Sequence, residues 1–311
     1  MNITGPIYSD ANKAREHLEA LHWPQGPMCP HCGCMGNIKK LAGKSTRPGV
    51  HKCNDCEKPF TVTVGTIMED SKIPLNKWLM AFALMSSSKK GISAHQLHRS
   101  LGITYKSAWF LAHRIREAMK SDDITPLGGA GKTVEVDETF IGGKEKNRHK
   151  SMRANRNMGA SWGKETVFSL VERDGRVRSM HVASVTAANL RPIMIEQINA
   201  ASMLCTDDAG QYRHMGRDFS HEVVNHGSDE YVRGKAHTNT VEGYFSILKR
   251  GIIGCYFHVS PAHLHRYLAE FDFRYSNRSG VGVNDAERTE LAIKGARGRR
   301  LAYRQPDTLA A

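Results

Sequence analysis

Two close cysteine pairs, Cys29/Cys32 in "CPHC" and Cys53/Cys56 in "CNDC", constrain this chain more than any other feature. Each pair is a tight C-x-x-C knuckle, and the stretch between them is about the length of one hairpin. Four thiolates at this spacing are expected to close a tetrahedral zinc site on a small ribbon. Such a site keeps no open position, so the zinc would hold shape and do no chemistry. The chain has seven cysteines, and an odd number argues against a complete disulfide framework. Cys34, next to the first knuckle, reads as a spare or competing ligand, and Cys205 and Cys255 as core residues.

Charge sets the class of partner. Lys and Arg total 44 against 31 Asp and Glu over 311 residues, a formal net charge of +13. That excess favours a polyanion, and nucleic acid is the commonest. The first ten residues, "MNITGPIYSD", lack the basic start and apolar stretch of a secretory signal, and no apolar run is long enough to cross a membrane. The expected location is therefore the cytoplasm, associated with the nucleoid.

The periodicity changes along the chain. Residues 10–23 carry apolar residues at helical spacing ahead of the cysteine ribbon, and together they form a first unit over residues 1–70. Residues 71–126 read as three helices, "NKWLMAFALMSSSKK", "ISAHQLHRSLG" and "TYKSAWFLAHRIREAMK". A short helix, a glycine turn and a further helix match a helix-turn-helix, whose last helix would offer Lys106, Arg114 and Arg116 to double-stranded DNA. The alternative is a three-helix packing unit with a solvated basic face.

From residue 127 the period becomes two. "KTVEVDETFIGG", "ETVFSLVERDG" and "RVRSMHVASV" read as strands, the last two joined at Asp174-Gly175. A helix ("AANLRPIMIEQINA"), two short strands ("SMLCTDDAG", "SHEVVNHG") and two helices follow. Three meandering strands, then helix, strand and a helical end are the element order of an α/β fold of ribonuclease-H-like type, assigned to residues 127–290. Residues 291–311 read as a loose basic tail.

Within that domain Asp137 alternates with Val134 and Val136 and so points off the face those valines bury. Asp207 ends a second apolar strand, and Glu242 heads a helix. The three converge if the two strands are neighbours. Like charges a few Å apart repel, and a divalent cation such as Mg²⁺, which takes hard oxygen ligands, relieves the conflict.

The segments "VEVDETFIGGKEKN", "TDDAGQY" and "HTNTVEGYFSILKRGIIGCYFHVSPAHLHRYLAEFDFRYSNR" resemble the DDE transposases of bacterial insertion sequences, in particular the ISXO-like branch with an N-terminal zinc ribbon. The likeness runs from about Leu21 to Arg278. It implies metal-binding acids at Asp137, Asp207 and the Asn239/Glu242 turn, with a basic partner at Lys249. It also implies two-metal phosphoryl transfer with Mg²⁺ or Mn²⁺: hydrolysis at an element's end, then strand transfer into target DNA. Processing two ends implies at least a dimer assembled on DNA. Many members of the branch carry Asn at the third position, so Asn239 and Glu242 both stay open. With Asn239 as N-cap, Glu242 would fall at the third helical position, close to a capping box.

Lys144, Lys146, Arg148 and Lys150, between the first two strands, together with Arg250, would neutralise DNA phosphates. His258, His263 and His265 lie close in sequence, and phosphate contact or helix packing suits them better than a second metal site. Two other readings compete: a nuclease of the same fold that cuts without joining, and a zinc-ribbon regulator whose acids are inert.

Overall fold

The computed structural model describes residues 2–143, 149, 162–225, 232–234 and 236–302. In chain order the elements are α1 (Pro6–Ser9), α2 (Ala11–His22), β1 (Ile38–Lys40), β2 (His51–Cys53), β3 (Pro59–Phe60), α3 (Leu75–Ser87), α4 (Ala94–Leu101) and α5 (Tyr105–Ala118). There follow β4 (Thr133–Ile141), β5 (Glu165–Glu172), β6 (Val177–Val182), α6 (Ala187–Gln197), β7 (Met203–Asp207) and β8 (Ser220–Val224). The chain then forms α7 (Asn239–Gly251), α8 (Pro261–Ser276) and α9 (Asp285–Lys294). No helix among the described residues is long and apolar enough to cross a membrane. The chain divides into two compact units, Met1–Lys120 with the chain from Val283, and Ser121–Gly282.

In the first unit Asp10 caps α2, accepting from the backbone N–H groups of Asn12 and Lys13. Strands β1, β2 and β3 form an antiparallel sheet in that order. Its apolar support is small: Trp23, His51 and Phe60 pack ring to ring at 5.3–5.8 Å around the cysteines. Helix α4 stops at Gly102, whose φ of 57° is left-handed and suits glycine. Thr104 caps α5 two residues later through the Ser107 N–H. This is the short helix–turn–helix connection that the sequence leads one to expect.

The face of α5 differs from expectation. Ala108, Leu111, Ala112, His113, Arg114, Ile115, Arg116 and Ala118 are all buried, so Arg114 and Arg116 are not available to DNA. The Arg114 guanidinium donates to the Glu69 carbonyl and lies over the Trp78 and Phe110 rings at 5.5 and 5.3 Å. It acts as an internal cation rather than a phosphate contact. Only the first turn of α5, with Tyr105 and Lys106, stays exposed.

The end of the chain departs from expectation too. The stretch assigned to the catalytic domain and a loose tail contains α9, which packs on α3 in the first unit. Asn284 and Glu287 form a reciprocal capping box. Beyond the helix, Ile67 N–H donates to the Ala296 carbonyl and Gly298 N–H to the Gly65 carbonyl, both within this unit. Residues 303–311 lie outside the described residues.

The second unit is a five-stranded sheet of order β6-β5-β4-β7-β8. β4 pairs antiparallel with β5 and parallel with β7, and β8 extends the parallel side. Both faces are covered. Val134, Val136, Phe168 and Leu170 pack under Leu190 and Met194 of α6. Val167, Val171 and Ile141 pack under Val241, Tyr244, Phe245 and Leu248 of α7 and Leu264, Leu268 and Phe271 of α8. The alternation of β4 therefore sends Val134 and Val136 to the α6 side, and Glu135 and Asp137 to the α7 side. On the α7/α8 face Asp272 accepts from the Ser179 N–H and Oγ, both at 2.7 Å, and from Tyr244 Oη at 2.6 Å. Burial pushes Asp272 up to about 6.

Candidate functional site

The acidic site is built on the boundary between β4 and β7, where the strand order reverses. Ligands of open α/β sheets sit at such a switch point, beyond the carboxyl ends of the strands. The paired positions Thr133↔Met203, Val134↔Leu204 and Glu135↔Cys205 fix the register. Asp137 and Asp207 stand two residues beyond the last of these pairs, each on its own strand. β7 ends at Asp207, whose Oδ1 accepts the Ala209 N–H at 3.1 Å and turns the chain away.

Glu242 joins them from α7. Burial pushes Asp137 up to about 7, and the negative charges of Glu138, Asp207 and Glu242 add to the rise. The Glu138 N–H, donating to Asp137 Oδ1 at 2.7 Å, opposes it. Among the described residues, the carboxylates of Asp137, Asp207 and Glu242 are not drawn together within 4.8 Å as the four cysteine sulfurs are. The donor set still fits a divalent cation: hard oxygens on three rigid elements, with the central one unfavourable as an unaccompanied anion.

The opening of α7 differs from the expected cap. Thr238, not Asn239, is the N-cap residue, and Asn239 is the exposed first residue of the helix. Glu242 therefore lies at the fourth position, where its Oε1 accepts from Thr238 Oγ1 at 3.2 Å, and no capping box forms. The helix N-terminus is capped from outside. Glu135 Oε2 accepts the Thr240 and Val241 N–H groups at 2.7 and 3.0 Å. Glu135 is fully buried. Two turns beyond Glu242, about 10 Å along the axis, Lys249 is exposed, and so is Arg250.

Glu138 faces the other way from Asp137. Its carboxylate is held by Gln211 Nε2 at 2.8 Å and by Tyr212 Oη, and burial raises its pKa. The sequence motif "TDDAGQY" thus contributes Asp207 at the end of β7 and, a turn later, two donors for the neighbouring glutamate. The signal was present in the alternation, since residues 137 and 138 must face opposite sides of a strand. Asp208 is exposed. Lys144, Lys146, Arg148 and Lys150 lie outside the described residues. His258, His263 and His265 are not among the described groups whose ligand atoms gather within 4.8 Å.

In the first unit the ligand atoms of Cys29, Cys32, Cys53 and Cys56 all lie within 4.8 Å of one another, with Cys29–Cys56 and Cys32–Cys53 sulfurs 3.6 Å apart. Zinc–sulfur bonds of about 2.3 Å at tetrahedral angles would set sulfurs roughly 3.8 Å apart. The four thiols therefore fit the ion. The Cys56 backbone N–H, and after it the Asp55 N–H, lower the Cys53 thiol towards its thiolate, whereas at Cys32 the Cys34 backbone N–H is outweighed by desolvation and the neighbouring cysteines, which raise that thiol. Cys34 gathers with Cys53 and Asp55 into an overlapping second set, in keeping with a spare ligand.

Comparison with known proteins agrees with this geometry. The chain is 25% identical over 272 residues to an uncharacterised protein in transposable element ISH50 of Halobacterium salinarum, covering 84% of this chain and 90% of that one. A chain of the pre-cleavage Mos1 transpososome matches at 12% identity over 70% of this chain and 78% of that one, with a TM-score of 0.26, too loose a superposition to inform the fold. Residues 9–59 match the transposase zinc-ribbon domain, and residues 126–276, which carry the acids, match the ISXO2-like transposase domain. The acid-bearing stretch thus belongs to the ISXO2-like transposase domain family and the cysteine-bearing stretch to the transposase zinc-ribbon family.

Proposed function

We propose that this chain binds the terminal inverted repeats of its element as double-stranded DNA, cleaves there and joins the freed 3′ end to target DNA. The observation that carries the reading is the placement of Asp137 and Asp207 on adjacent parallel strands, each two residues past the last paired position, with the charges of Asp207 and Glu242 felt at Asp137. The 3-2-1-4-5 order of the five strands in sequence terms supports a ribonuclease-H-like domain. Asp137, Asp207 and Glu242 would hold Mg²⁺ or Mn²⁺, which when bound supplies Lewis-acid activation of the attacking oxygen and stabilisation of the leaving one. The chain's own part is positional: two strand carboxylates fixed by the sheet register, and a third fixed by a helix capped from the same strand. Lys249 and Arg250, exposed on α7, suit DNA phosphates. Lys106 and Tyr105, on the open first turn of α5, suit the end-recognition role of a helix-turn-helix. Cys29, Cys32, Cys53 and Cys56 would hold a structural zinc. Two copies acting on two ends, in the cytoplasm at the nucleoid, complete the proposal.

A labelled inverted-repeat end incubated with Mg²⁺ or Mn²⁺ and target DNA tests it. Joined product is the expected result; cleavage without joining identifies a nuclease, and binding alone a regulator. The same assay assigns the third ligand. Glu242→Gln should lower the cleavage rate about 100-fold or more, and Asn239→Ala should leave it within about threefold. If only the Asn239 change abolishes cleavage, the third ligand is Asn239.

A further inference from the structure

One pleat down from Asp137 and Asp207 on their strands lies an ion pair, its carboxylate buried and its guanidinium half-buried, that neither the metal chemistry nor DNA contact uses. Glu135 precedes Asp137 by two residues on β4 and faces the same side. Its carboxylate oxygens are each shared. Oε1 accepts from Arg173 Nε at 2.5 Å and Thr240 Oγ1 at 2.8 Å, and lies 3.1 Å from His237 Nδ1. Oε2 caps α7 through the N–H groups of Thr240 and Val241. Arg173, just past the end of β5, extends the arrangement. Its Nη2 donates to the His237 carbonyl at 2.9 Å and lies 3.8 Å from the sulfur of Cys205. Cys205 precedes Asp207 by two residues on β7, and its register partner is Glu135.

The pair therefore touches all three elements that carry the acids, each within about one pleat or one turn of its carboxylate. We propose that Glu135 and Arg173 are positioning residues: a clasp that holds β4, β7 and the start of α7 in the register that lets Asp137, Asp207 and Glu242 share one cation. The inference rests on the metal-site reading above. The chemistry explains why both residue types are needed. A carboxylate is the side chain that accepts two helix N–H groups and a guanidinium at once. A guanidinium has the planar fork that reaches a carboxylate, a carbonyl and a sulfur together, which a lysine ammonium does not reproduce. Partners that orient metal ligands from behind commonly change affinity or activity by about 10- to 100-fold when altered.

The test uses Mn²⁺ binding followed by electron paramagnetic resonance on the full-length, DNA-free protein, beside single-turnover cleavage and end-binding affinity. Asp137→Asn first establishes the site: if it leaves Mn²⁺ binding unchanged, the metal-site reading itself fails. Given that control, Glu135→Gln and Arg173→Lys should each raise the Mn²⁺ concentration for half-saturation about tenfold and lower the cleavage rate about 10- to 100-fold. End-binding affinity should stay within about twofold, which a merely unfolded variant would not do. If Glu135→Gln does not fold, Arg173→Lys, which keeps the charge, decides alone. A folded Arg173→Lys protein with wild-type Mn²⁺ affinity and cleavage rate overturns the proposal.

Discussion

Replacing Asp137 by asparagine is expected to reduce metal-dependent cleavage of the element's ends by roughly 1000-fold or more while making the metal-free protein more stable at alkaline pH. The two effects share one cause. Asp137 is half-buried at the end of a sheet boundary, with Asp207 and Glu242 contributing negative charge, and its carboxyl is pushed up to about 7. In the unfolded chain the same group titrates near 4. The folded state therefore binds this proton more tightly. Its contribution to stability is fully present below about pH 4 and is lost as the pH rises through about 7. Asparagine cannot ionise and avoids that loss. In EDTA at pH 8 the variant should melt several degrees above wild type, a difference on the order of 1–3 kcal/mol. At pH 5, about one unit above the unfolded value against a shift of about three, the gain should shrink to about a third of that. The cost on the other side is chemical: a neutral amide offers one oxygen and no charge to a divalent ion. Thermal melts at the two pH values, paired with the cleavage assay, measure both. An Asp137→Asn protein that melts below wild type at pH 8, or that still cleaves, contradicts the electrostatic account of the site.

Much of this arrangement could be read before any coordinates, and the exceptions share a physical reason. Cysteine knuckles and strand alternation are local signals, so the ribbon, β4 through β8 and the order of helices α2 to α8 follow from the sequence. Placing Asp137 and Asp207 on adjacent strands needed only that β4 and β7 be neighbours, which the element order favours. What local pattern cannot carry is which polar residues go inside. Arg114 and Arg116 lie on a helix of a basic chain and look solvated, yet the aromatic rings of Trp78 and Phe110 accept the Arg114 cation in the interior. Glu135 looks like a polar residue on the open face of a strand. That face is covered by α7, and the glutamate is buried because helix N–H groups and Arg173 satisfy it. Capping chemistry was legible but read at the wrong helix. The N-x-x-E pattern at Asn239 gives way to a cap supplied by a distant strand, whereas the same pattern at Asn284 forms the reciprocal box and starts α9.

Stripping zinc should produce the other large effect, confined to the ribbon. Strands of three, three and two residues, supported by Trp23, His51, Phe60 and a few half-buried neighbours, bury too little apolar surface to stay folded unaided. The metal would then supply most of the folding free energy of this segment, since the four thiolates converge only in the folded state. Metal analysis should find one zinc per chain, and Cys53→Ser or Cys29→Ser should lose it. Chelation should expose the chain between about residues 24 and 60 to protease at least tenfold faster, with release of thiols to a colorimetric reagent. The unit from Ser121 to Gly282 has its own sheet with both faces packed, so its fragment should survive the same digestion. Affinity for the inverted repeats should fall with the zinc if the ribbon takes part in recognising them, while Mn²⁺ binding at the acids should persist. A ribbon that resists protease after the metal is removed, or a protein that carries no zinc, would show that the aromatic cluster alone suffices and that the cysteine spacing serves another purpose.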